Sequence, residues 1–129
     1  MPEVTDENVL SPGGVTPAIG PAAAGTHRRT MGGMVIGACR LQLILADNHS
    51  LKGKRGVIRS ICAQVRHKFN VAIAEVEDQD LWQVAGLAFV VLSSDARHVD
   101  QMVEQVVEFI DRRAEAQLGD YQVERIYPF

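Results

Sequence analysis

Lys52, Lys54, Arg55, Arg59, Arg66 and Lys68 follow one another along the chain, and no acidic residue stands between Asp47 and Glu75. Ammonium and guanidinium groups in such a run can bind phosphate, the guanidinium bidentately. The surrounding residues read as a helix starting after Ser50, whose hydroxyl suits an N-cap. Lys52, Lys54 and Arg55 then fall at the helix start. A helix N-terminus carries about half a positive charge, and each cation near it costs about 0.3–1 kcal/mol. Cations kept where they oppose the fold are expected to serve an anion outside it. At about 100° per residue, Lys52, Arg55, Arg59 and Arg66 lie within about 60° of one another, and Lys54 lies apart, nearer the apolar arc. The plainer alternative is a solvated polar face.

The other chemistry-bearing residues carry less. Glu75, Glu77, Asp78 and Asp80 approach a hard-cation cluster, but their spacing is not that of a calcium loop. A turn anchored by Trp82 folding back is expected there, with no metal. Cys39 and Cys62 form no CxxC and occupy apolar positions, so they read as buried thiols in a reducing cytosol. His49 and His98 have no ligand or nucleophile near them in sequence and read as surface residues. No phosphate loop, dinucleotide fingerprint or nucleophile elbow occurs. No catalytic residue and no cofactor is therefore assigned, and an enzyme built on the acidic loop is the weakest reading.

The elements that must position these residues follow from composition and periodicity. The chain has 129 residues, enough for one domain, and its net charge of −3 restricts any anion site to a local patch. No apolar run is long enough to cross a membrane, and the stretch Val15 to Ala24 is broken by Pro17, Gly20 and Pro21, unlike a signal peptide. Residues 1–33, rich in Pro, Gly and Ala without periodicity, are expected to be a disordered tail. Met31 and Met34 leave a later start open.

Residues 34–129 alternate as strand, helix, strand, strand, helix, strand. The expected bounds are 35–45, 51–68, 71–77, 84–93, a helix from a Ser94 or Asp95 cap to about Ala114, and a last strand 121–127 after a break at Gly119. This is the α+β, ferredoxin-like β-α-β-β-α-β pattern, a four-stranded antiparallel sheet of order 4-1-3-2 with both helices on one face. The second helix carries an acidic stripe of Asp100, Glu104, Glu108, Asp111 and Glu115. The opposite sheet face would expose Ile36, Ala38 and Ile44 with Ala88, Val90 and Leu92. An open apolar face of this kind marks a partner. Ile36, Ala38, Ala88, Val90 and Trp82 are thus the expected oligomer interface.

Three segments carry a family resemblance: Val35-Ile-Gly-Ala-Cys-Arg-Leu41, Ser50-Leu-Lys-Gly-Lys-Arg55, and Phe69 to Gln83 with its Asp78-Gln-Asp-Leu-Trp82 string. Over residues 34–127 the chain resembles the YlxP-like family of small bacterial proteins of unknown function. The resemblance implies a ferredoxin-like fold, a gene neighbourhood of translation initiation and ribosome maturation, and no established catalytic residues. Gly53 and Gly56 depart from the family pattern and suggest a looser, more positive helix start. The leading expectation is a non-enzymatic cytoplasmic module that binds structured RNA or a ribosomal particle through Lys52, Lys54, Arg55, Arg59 and Arg66. The lack of a stacking aromatic pair on the central strands favours backbone recognition by the helix. The alternative is a homo-oligomeric interaction module on the open sheet face.

Overall fold

A computed structural model describes residues 33–113 and 115–129, so the expected tail lies outside the described residues except for Gly33. The elements are β1 (Val35–Ile44), α1 (Leu51–Lys68), β2 (Ala72–Glu77), β3 (Val84–Ser93), α2 (Ala96–Asp111) and β4 (Gln117–Ile126). They form one antiparallel sheet of order β2-β3-β1-β4. The two most apolar strands, β1 and β3, are central, as an α+β ferredoxin-like fold requires.

Alternation divides the sheet. Cys39, Leu41 and Leu43 of β1 and Leu87, Phe89 and Val91 of β3 face the helices. They meet Ile58, Ile61, Cys62 and Val65 from α1 and Val99, Val103, Val106 and Ile110 from α2 in one core. At Gly37 the α2 helix comes so near that a Cβ would stand 2.4 Å from Val99 Cγ1. The C-terminal ends of the helices are closed by Phe69 and Phe109, edge to face with ring centres 5.6 Å apart.

Two boundaries differ by more than one residue from those read in the sequence. The last strand begins at Gln117 and includes Gly119, because the register against β1 shifts between Leu41 and Leu43 and so admits the glycine within the ladder. The second helix stops at Asp111 rather than near Ala114. Bidentate bonds from Arg125 to Asp100, 3.0 and 2.9 Å, then tie β4 to α2.

Candidate nucleic-acid interface

Ser50 caps α1 by accepting a 2.9 Å bond from Gly53 N–H. The first turn contains no acidic residue. Lys52, Arg55 and Arg59 are exposed on the outer side of α1, and among the described residues no ion pair joins their side chains. Arg66 is also exposed, but Nη2 donates to Ile73 O at 2.7 Å, so part of its guanidinium is committed to the β2 backbone. The outer stripe therefore holds three uncommitted cations and one partly committed.

Lys54 leaves that set. It is 1% exposed, among the most buried side chains of the domain. Its Nζ donates to Asp78 O at 2.5 Å and Leu81 O at 2.8 Å and lies 2.9 Å from Glu75 Oε2. That oxygen receives no well-directed hydrogen bond, so its attraction to Lys54 is mainly coulombic. The physical reason is position on the helix. Lys54 shares its side with Ile58 and Ile61, which the core buries, and its long stem carries the ammonium to the β2–β3 loop.

The backbone of that loop is consequently braced by hydrogen bonds, while its side chains from Gln79 to Gln83 are exposed. Asp78 adopts φ 60° beside the Lys54 contact. Asn48 Nδ2 donates to Trp82 O at 2.6 Å and to Ser50 O at 2.7 Å. Gln83 Nε2 donates to Ala46 O at 3.0 Å and Asn48 O at 3.1 Å. Trp82 does not fold back: it is 53% exposed, and its carbonyl rather than its ring is the anchored group. Gly53 is not a source of looseness either. A Cβ there would lie 2.4 Å from Asn48 Oδ1, so the loop-bracing asparagine would have to shift to admit any other residue.

The expected interface residues separate. Ile36, Ala38, Ala88 and Val90 share the open sheet face, as alternation requires. Trp82 lies before the other end of β3, eight residues from Val90, and does not join them. Arg40, at the middle of the same face, donates to Glu77 Oε2 at 3.2 Å and Gln122 Oε1 at 2.5 Å. Sequence reading missed Ile126, Ala72 and Ala74 on this face, since only strand register reveals which residues of β2 and β4 stand beside Ile36 and Val90.

His49 and His98 are exposed. Among the described residues no three His, Cys, Asp or Glu side chains converge to hold a metal. No helix of the described residues is long and apolar enough to cross a membrane. Both cysteines are buried free thiols. Burial pushes Cys39 up to about 11, and it also raises Cys62, with Arg66 opposing and Glu75 assisting.

Comparison with known proteins adds three likenesses. Residues 36–123 match a family described as protein of unknown function (DUF503). The uncharacterized protein YlxP of Bacillus subtilis (strain 168) is 36% identical over 77 residues, 60% of this chain and 84% of that protein. The de novo designed protein Foldit4 is similar at a TM-score of 0.44 and 13% identity, over 72% of this chain and 96% of that one. The last is too slight a likeness to bear on function.

Proposed function

The chain belongs to the family of unknown function DUF503, whose match spans both helices and nearly the whole sheet, and we propose that it is a non-enzymatic module binding structured RNA or a ribonucleoprotein through α1. One observation carries the reading. Lys52, Arg55 and Arg59 stand exposed on one helix face, unneutralised among the described residues, at a helix start without acidic residues. Such a row matches phosphates spaced along a backbone, with Arg66 extending it at reduced strength. Lys54 is no part of the contact and acts instead by fixing the loop beneath the helix start.

The reading is of backbone and shape, with no base code. The open sheet face has no aromatic residue in β1, and the one aromatic of β3, Phe89, is buried in the core. A cytoplasmic setting suits two unpaired thiols. The test is binding of a fluorescent RNA hairpin at several salt concentrations. About three phosphate contacts give a log–log slope of about −2 to −3. A weak, salt-insensitive signal that is unchanged in the Arg55→Glu/Arg59→Glu variant would show the stripe to be a solvated face.

A further inference from the structure

We infer that the groove between the C-terminal halves of α1 and α2 is a phosphate-binding site built from Lys68, Arg113 and His67. The groove is open, holds about 660 Å³, and is lined by Ala63, Gln64, His67, Lys68, Phe109 and Arg113. Phe109, half-buried, is its apolar floor. Arg113 Cζ stands 4.2 Å from the centre of that ring and Lys68 Nζ 5.7 Å from it. Arg113 Nη1 donates to Gln64 Oε1 at 2.5 Å. The ring and this one bond hold the guanidinium in place, and among the described residues its Nε and Nη2 have no acceptor. A guanidinium fixed with donors to spare is prepared to clasp an oxyanion. A carboxylate has two oxygens, which the guanidinium alone would occupy. A phosphate has a third, left over for Lys68 or His67.

Charge says what the groove takes. No acidic residue lines it, and among the described residues no ion pair reaches His67, Lys68 or Arg113. The carboxylates of α2 lie on its other side, where Glu104, Glu108 and Asp111 line a hollow beside Leu118 and Tyr121 of β4. Two cations held against one ring repel each other, and an anion between them removes that repulsion. The helix dipole accounts for His67 and Lys68, which stand in the last turn of α1. It does not account for Arg113, which follows the cap of α2 and reaches across to Gln64 of α1. The phosphate belongs either to an RNA backbone or to a small phosphate ester. The groove uses none of Lys52, Arg55 and Arg59, so the inference stands or falls apart from RNA binding through that stripe.

The experiment is an NMR titration of the full chain with inorganic phosphate, exchanged for chloride at constant ionic strength. The expected result is a set of saturable shifts confined to Gln64, His67, Lys68 and Arg113. Lys68→Gln and Arg113→Gln should each weaken that binding about tenfold, the loss of one charge-assisted contact. Lys68 is exposed, so Lys68→Gln should melt as the wild type does and reads the site even where Arg113→Gln loosens Phe109. The Arg55→Glu/Arg59→Glu variant should keep the phosphate shifts. The same variants tell the two sources apart. An RNA hairpin that binds Lys68→Gln more weakly, with a salt slope flatter by about 1, puts one backbone phosphate in the groove. A hairpin affinity unmoved by Lys68→Gln, with adenosine monophosphate bound by the wild type and lost in the variant, puts a small ester there. Phosphate shifts that never saturate, or that are as strong in Lys68→Gln and Arg113→Gln as in the wild type, overturn the inference.

Discussion

Lys54 shows how one residue changes meaning between sequence and structure. In sequence it is one of a row of cations; in the fold its ammonium is enclosed and bound to two carbonyls and a carboxylate. The signal that distinguishes it is its place on the helix wheel, on the side of Ile58 and Ile61. The partners were not legible, because nothing in a sequence says that Asp78 O and Leu81 O will turn toward α1. Lys54→Met keeps the apolar stem and removes the charge, leaving Glu75 without its counter-charge and the two carbonyls without their donor. A loss of about 2–4 kcal/mol is expected, below the full range for breaking a buried pair because Glu75 reaches some solvent. The melting temperature should fall by at least about 10 °C in a domain of this size. RNA affinity measured well below that temperature should keep its salt slope. The cysteines give a second prediction. With Cys39 pushed up to about 11, the thiolate is scarce at pH 8, and a thiol reagent should label the native protein far more slowly than the unfolded chain. Because the folded state holds this proton more tightly, stability should decline as pH rises from about 9 toward 11.

At the scale of elements, alternation and helical period disclosed most of the architecture. The inward residues of β1 are Val35, Cys39, Leu41 and Leu43, as period two demands, and the two most apolar strands occupy the centre. The start of β4 was obscured because Gln117, Gly119 and Asp120 are poor strand formers, retained by pairing to β1 across a register shift. The two glycines of α1 looked alike in sequence and differ in the fold. Gly56 has nothing within 4 Å of a would-be Cβ. Gly56→Ala should therefore stabilise the protein by up to about 1 kcal/mol, the helix-propensity difference. Gly53→Ala gains the same propensity but drives Asn48 from its bonds to Trp82 O and Ser50 O. It should melt below the wild type, and calorimetry of the two single variants separates the cases. The helix itself tolerates charge reversal on its outer face. In Arg55→Glu/Arg59→Glu the new carboxylate at 55 lies just past the first turn of α1, where the dipole favours it weakly, and the one at 59 lies beyond the dipole's reach on an exposed face. That variant should melt at or slightly above the wild-type temperature while losing RNA affinity at every salt concentration.

Across the whole molecule, the two helices give one side of the domain opposite charges next to each other. The net charge of −3 hides a cationic α1 face and an anionic α2 face, packed on the same side of one sheet. An approaching polyanion is drawn to the first and repelled by the second, and salt decides how far each reaches. At 0.15 M the screening length is about 8 Å, and at 0.01 M about 30 Å. Packed helices lie about 8–10 Å apart axis to axis, so charges on their outer faces are farther apart than that. The α2 carboxylates should thus act on RNA held at α1 only when salt is low. Neutralising them in Glu104→Gln/Glu108→Gln/Asp111→Asn should tighten RNA binding several-fold at 10 mM salt and leave it unchanged at 150 mM. The charge reversal in α1 should weaken binding at both, because those cations touch phosphate directly. Titrations of both variants at the two salt concentrations distinguish contact from field. If the α2 variant binds RNA more tightly at 150 mM by the same factor as at 10 mM, the nucleic acid lies against α2 as well, and the interface extends beyond α1.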